Sequence, residues 1–142
     1  MKKTIFLLIG LLAVAVLAYF FYRAFTSNDR ILAVYEGMLP AADCPGLRET
    51  LTLYEGDPGK YKIQSTYIEA ENGKDKTYYA YGKWRKSKGR PGQSEAVLIE
   101  IDFDHPAKTA YYLMVDDKTI RIVDKDKKDI NCPFNLSLTK KE

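Results

Sequence analysis

The sequence predicts an all-β fold: a small antiparallel barrel or sandwich of about eight strands, preceded by one N-terminal transmembrane helix. Three observations carry this. Short runs of alternating or β-branched residues recur between residues 31 and 142, separated by turn signals such as Glu55–Gly59 (EGDPG) and Asn72-Gly73. Tyrosine occurs eleven times against one tryptophan, a bias toward strands and half-buried surfaces. No amphipathic helix longer than the N-terminal apolar segment appears. An up-and-down barrel of eight strands would join the first strand to the last and abolish exposed edges.

A length of 142 residues leaves room for one ordinary domain plus a targeting segment. Thr4–Tyr22 (TIFLLIGLLAVAVLAYFFY) is uncharged. At about 1.5 Å per residue a helix of that length nearly matches a hydrocarbon core of about 30 Å. Lys2 and Lys3 precede it, and Tyr19, Phe20, Phe21 and Tyr22 fall where an aromatic belt would sit. The positive-inside rule then puts the N-terminus in the cytoplasm and the domain outside. The rival reading is a signal peptide cleaved after Ala13-Val14-Ala15. That would leave an exposed greasy tail beginning at Val16, so the length criterion favours an uncleaved anchor. No cysteine precedes Cys44, so a lipid-modified N-terminal cysteine is not expected. The division is an anchor over 1–26, a spacer over 27–30 and a barrel domain over 31–142.

Charge excludes one class of partner. Of 22 basic residues, Lys2, Lys3 and Arg23 flank the apolar segment, leaving 19 against 19 acidic residues in the remainder. A neutral domain lacks the general positive field on which nucleic-acid binding rests.

The expected strands run in order. Ile31–Leu39 sets Val34, Glu36 and Met38 on one side and Tyr35 and Gly37 on the other, with Gly37 marking a bulge or a close backbone approach. Pro40 ends it, and Ala41–Gly46 turns the chain. Leu47–Tyr54 alternates Leu47, Leu51 and Leu53 against Arg48, Thr50, Thr52 and Tyr54, the pattern of a half-buried strand. Lys60–Ile68 follows the EGDPG turn, and Glu69–Lys76 reads as a loop around Asn72-Gly73. Thr77–Arg85 is the fourth strand, with Gly82 a candidate bend before Trp84. Lys86–Glu95 (KSKGRPGQSE) reads as a loop. Ala96–Asp102 is apolar at Val97, Leu98, Ile99 and Ile101. Lys108–Val115 and Thr119–Val123 come next, flanking an Asp116-Asp117-Lys118 turn. Asp124–Asp129 is a charged turn, and Phe134–Leu138 closes the domain.

The stretch Tyr35-Glu36-Gly37, Leu39-Pro40, Ala42-Asp43-Cys44-Pro45-Gly46 and Leu51-Thr52-Leu53 resembles the N-terminal domain of the NlpE copper-resistance and envelope-stress lipoproteins. Gly82-Lys83-Trp84 and Ile120…Asp124…Ile130 fit more loosely, and LPAADCPG is the distinctive piece. The resemblance implies a lipocalin-like barrel, non-enzymatic, linked to copper tolerance and to signalling of envelope or adhesion stress. The family turn, here Pro40, Ala41, Ala42, Asp43, Cys44, Pro45 and Gly46, carries a C-x-x-C in the family pattern. Ala41 stands where the first of those cysteines falls, and the anchor here is a helix rather than a lipid.

In a barrel closed by its first and last strands, the end of the first lies beside the start of the last, so Cys44 and Cys132 are expected to be neighbours. Outside the cytoplasm such a pair oxidises, and a structural disulfide is expected. The functional alternative is a copper(I) site built from the soft donors Cys44, Cys132, Met38 and Met114. An oxidised pair supplies no thiolates, and methionines more often fill cores.

Other chemistry is thin. His105, between Asp104 and Pro106, has no second histidine to complete a zinc set and reads as a solvated loop residue. Asp124–Asp129 begins like a calcium loop but lacks its glycine and distal glutamate. Lys83, Arg85, Lys86, Lys88 and Arg90 form a basic cluster beside Trp84, read as a charged loop face. Asn135-Leu136-Ser137 matches a glycosylation sequon inside an expected strand. No G-x-S-x-G elbow or serine–histidine–carboxylate set appears.

The expectation is a single-pass protein of the bacterial inner membrane with its barrel in the periplasm. It would act as a binding or sensing module in envelope homeostasis rather than as an enzyme, contacting an envelope protein through the Ala41–Gly46 end. The alternatives are a carrier of a small hydrophobic ligand in a lipocalin-like cavity and residual copper binding.

Overall fold

The computed structural model describes residues 14–19 and 29–142. Its strands are β1 (Ile31–Leu39), β2 (Leu47–Tyr54), β3 (Gly59–Glu71), β4 (Lys74–Arg90), β5 (Gln93–Ile101), β6 (Ala110–Met114), β7 (Thr119–Val123) and β8 (Ser137–Lys140). Each pairs antiparallel with the next. The last returns to the first through Tyr35↔Lys140 and Glu36↔Thr139, so the sheet closes as an eight-stranded meander barrel rather than a sandwich.

The alternation read from the sequence sets the inside. Ala33, Tyr35 and Leu39 of β1 share the inner face with Leu51 and Leu53 of β2. Register carries that face on through Tyr61, Trp84, Ile99, Ile101, Tyr112, Ile120 and Leu138, which form one core cluster. Fully burying each such side chain stabilises the fold by about 1.5–3 kcal/mol. Two polar plugs tie the packing down: Trp84 Nε1 donates to Tyr54 O at 2.9 Å, and Tyr61 Oη donates to Asp102 Oδ2 at 2.7 Å. Gly37 is the expected close approach, because a Cβ there would lie 2.5 Å from Ser137 O on the closing strand.

Several boundaries differ from the sequence expectation. Glu69–Lys76 is not a loop: β3 and β4 run on to a tight reversal at Asn72-Gly73, both with positive φ as a type I′ turn requires. Lys86–Glu95 is also not a loop. Ser87↔Leu98 and Lys88↔Val97 pair, and the hairpin turns at Pro91-Gly92, with a register shift between Lys88 and Arg90. A polar run without alternation hides a strand whose partner is the apolar β5. Gly82 keeps register opposite Tyr61 and does not bend the strand; a side chain there would collide with Asp102 and the Tyr61 ring. The last strand begins at Ser137 rather than Phe134. Asn135 Oδ1 accepts from Ser137 N at 3.1 Å and holds a turn just ahead of it, leaving Phe134 exposed.

The expected anchor, Thr4–Tyr22, lies mostly outside the described residues. Residues 14–19 are helical, with Val14, Val16, Leu17 and Tyr19 exposed. Among the described residues no helix is long and apolar enough to cross a membrane.

Candidate functional site

Pro40 stops β1 and the chain crosses to β2 over residues 40–46. Gly46 anchors the crossing: its carbonyl accepts from Ile68 N at 3.0 Å and from the Cys44 thiol at 3.2 Å. A Cβ on Gly46 would fall 2.8 Å from the Met38 methyl, so Met38 packs across the base of the turn. Two grooves flank Pro40, Ala41 and Ala42. One, of about 760 Å³, runs over Asp43, Cys44 and Leu47 toward Tyr67, Glu71, Lys76 and Tyr78. The other, of about 580 Å³, lies between Pro45 and the stretch bearing Ile130, Cys132, Phe134 and Leu136. Leu47, Tyr67, Lys76 and Tyr78 all have inward register, which makes the larger groove the barrel's mouth.

The mouth mixes rings and charge. Tyr67 meets Tyr78 edge to face at 5.8 Å, Lys76 Nζ lies 5.7 Å over the Tyr78 ring, and Lys76 pairs with Glu71 at 3.4 Å. One inward position beyond Leu47 sits Glu49, buried and accepting a hydrogen bond from Tyr112 Oη at 3.1 Å. Burial raises the Glu49 carboxyl above its ordinary value, against the lowering pull of that hydroxyl. Tyr112, also buried and facing the carboxylate, is raised well above its own.

The structure separates the candidate soft donors. Cys44 and Cys132 lie in the two grooves on either side of Pro40–Ala42, as the closed barrel requires. Both are free thiols rather than the expected disulfide. Cys44 turns to Gly46 O, and Cys132 lies 3.7 Å from Phe134 O. Met38 is exposed on the outer face of β1, whereas Met114 packs against the core on the inner face of β6, so the four donors do not converge. Among the described residues no group of three His, Cys, Asp or Glu is placed to hold a metal ion.

The remaining candidates are absorbed locally. His105 is exposed, its carbonyl taken by Lys108 N, Thr109 N and Thr109 Oγ1. Asp124 Oδ1 is occupied by the amides of Asp126 and Lys128 at 2.8 Å each, which makes the calcium-like stretch an ordinary side-chain-capped turn. The basic cluster is largely neutralised by Lys83–Asp104, Arg85–Glu100, Lys88–Glu95 and a bidentate Arg90–Asp129 pair.

Glu49 and Glu100 are the polar residues the sequence reading passed over. Glu49 shares the parity of Leu47, Leu51 and Leu53, so alternation alone places it inside. Glu100 sits on the outer face of β5, where Arg85 Nε reaches it at 2.7 Å and Lys127 Nζ at 3.1 Å. Burial pushes its carboxyl up, but the adjacent Ser87 hydroxyl and the Arg85 and Lys127 cations outweigh that and hold it below the usual value. The Ser87 hydroxyl itself is buried and makes no well-directed hydrogen bond.

Fold and mouth together define a small closed meander barrel with an apolar cluster along its axis and two grooves at the Pro40–Gly46 end. A family model for the NlpE N-terminal domain matches residues 35–132, and the chain belongs to that family. This makes it an NlpE-like, envelope-related module. Neither a curated protein nor a solved structure matches the chain significantly.

Proposed function

We propose that the protein is a membrane-anchored, extracytoplasmic binding module of the bacterial envelope that meets a partner protein through the Pro40–Gly46 end. The observation that supports this is the bare turn itself: Pro40, Ala42, Asp43 and Pro45 are exposed between two grooves of about 760 and 580 Å³. That end offers aromatic edges, short apolar side chains and a few charges, the mixture of a protein-recognition surface. Thr4–Tyr22 is the anchor and leaves the domain on the periplasmic side. Among the described residues no metal-holding group gathers at the mouth, and its thiol, Cys44, is turned to Gly46 O; the reading is of a binder or sensor rather than an enzyme. A photo-crosslinking residue at Asp43, in cells, tests it: the expected result is a discrete adduct with an envelope protein, absent when the probe sits at Asp117 between β6 and β7. Equal labelling from both positions would remove the mouth as the contact face.

A second reading is favoured by groove volume, since about 300–1,000 Å³ is the range of small-molecule sites. With the axis filled by Leu51, Tyr112 and Ile120, a carried ligand is limited to the Tyr67–Tyr78 mouth. Residual copper chemistry is the weakest of the three. Copper(I) titration of the reduced chain is expected to show no micromolar site, and Ala41→Cys is expected to create one beside Cys44. In an oxidising compartment Cys44 and Cys132 would have to leave their carbonyl partners to pair. A thiol count near zero in the purified, unreduced chain supports that closure, and two reactive thiols would remove it.

A further inference from the structure

Glu49 is a buried carboxylate with one oxygen unpartnered. Oε1 accepts from Tyr112 Oη at 3.1 Å, and among the described residues no donor meets Oε2. That second oxygen is not sealed in, because the Ser87 hydroxyl is the one enclosed side-chain polar atom without a partner among the described residues. Solvent therefore reaches Oε2. It does so from the mouth side, since the next inward residue along β2, Leu51, is fully buried. Ser65 stands directly opposite Glu49 in register, half-buried and on the same inner face. The cation lining the groove is committed elsewhere: Lys76 pairs with Glu71 at 3.4 Å and lies over the Tyr78 ring.

We propose that the mouth binds a small organic ammonium ion, its charged head on Glu49 Oε2 and its apolar body against Tyr67 and Tyr78. The inference rests on the reading of the mouth as a small-molecule site, and it names the class of ligand. A carboxylate taken out of water without a cation gains most from an arriving positive charge. Such a charge also offsets the desolvation that raises the Glu49 carboxyl. A bare metal ion requires a fuller oxygen set, and among the described residues no group of three His, Cys, Asp or Glu is placed to hold one. An ammonium requires less: Oε2 and the Ser65 hydroxyl can accept from two of its three N–H groups. Above them the groove is lined by Leu47, Ala70, Tyr67 and Tyr78, which suit an apolar body. Successive inward residues of a strand lie about 7 Å apart, so an alkyl stem must bridge roughly that distance from the mouth at Leu47 to Glu49.

The test is titration calorimetry of the full chain in detergent. The probes are phenylbutylammonium, whose butyl stem separates ring from charge by about that span, and phenylbutanol, its uncharged counterpart of the same shape. The amine is expected to bind with a Kd below about 1 mM, and the alcohol roughly tenfold more weakly. Glu49→Gln is expected to lose that tenfold and to bind the two probes alike. Glu36→Gln, which removes a carboxylate paired with Lys141 on the outer face of β1, is expected to bind as the wild type does. Tyr78→Ala, which removes a half-exposed ring, is expected to weaken both probes about threefold. No heat from the amine up to about 1 mM would overturn the proposal. Equal wild-type affinity for amine and alcohol would overturn it too, while leaving the mouth as a site for neutral ligands. A Glu49→Gln chain that keeps the preference for the amine would overturn it as well. If that substitution also abolished the Asp43 adduct in cells, the carboxylate would belong to a partner's basic side chain.

Discussion

Glu49 and Glu100 are both buried carboxylates in the middle of strands, one inside the barrel beside the mouth and one on the outer flank. The flank is sealed by the chain itself. The segment after β7 folds back with a Val123↔Asp129 bridge, sends Lys127 onto Glu100 and over the Tyr111 ring at 5.1 Å, and is pinned by Arg90–Asp129. Leu98, outward by register, is thereby fully buried. Glu49 receives one hydroxyl and no cation. Where this protein needs a cover it supplies one, charged partners included. Among the described residues the mouth above Glu49 has no such cover, and that contrast is the strongest reason to look for a partner there.

The largest effect should come from the flank's apolar floor. Leu98→Ala is expected to cost about 2–5 kcal/mol, as much as a truncation on the barrel axis such as Leu51→Ala. Denaturant melts that showed Leu98→Ala nearly neutral would mean the flank is not a second core. Next, Glu100→Ala leaves the Arg85 and Lys127 cations facing a vacated site and should cost about 1–3 kcal/mol, less than a fully buried pair because Arg85 is half-exposed. Lys127→Met should recover little of that loss if Glu100 is the hub.

The two carboxylates should also titrate with opposite signs. Glu49's folded value is raised, so its contribution is present in acid and lost as pH rises through that value. Glu49→Gln should therefore melt higher than wild type at neutral pH, with the gap closing as pH falls into the acid range. Glu100's folded value is lowered, so its contribution is present at neutral pH and lost as pH falls through it. Glu100→Gln should melt below wild type at neutral pH and converge with it in acid. Parallel pH profiles for the two variants would erase the distinction between sealed flank and unsealed interior. Arg90→Ala, which removes an ion pair whose Asp129 partner is half-exposed, should have the smallest effect and one that fades with added salt.

Much of this was legible in order and alternation. β1, β2 and β7 fall where period two and the flanking turns put them, and closure of β8 on β1 follows from an even-numbered meander. Glu49 was equally legible by parity. Glu100 was not, because Ala96–Ile101 is apolar on both faces and nothing local says that its outer face is covered. Lys127, which covers it, is distant in sequence and sits in a run that reads as solvated. The strand extensions at Lys86–Arg90 were hidden for a related reason: a polar, glycine-bearing segment becomes a strand only because β5 pairs with it. The placement of the two cysteines at the 40–46 end followed from topology, whereas their thiol orientation depends on carbonyls at Gly46 and Phe134 that no spacing rule predicts.

The account turns on the uncovered Pro40–Gly46 end being where the protein meets its partner. The most direct measurement places photo-crosslinking residues at Ala42 and Asp43 on the mouth and at Asp126 on the sealed flank, in cells carrying the full chain. The account predicts adducts to the same envelope protein from both mouth positions and none from the flank. Adducts from Asp126 with none from Ala42 or Asp43 would contradict it.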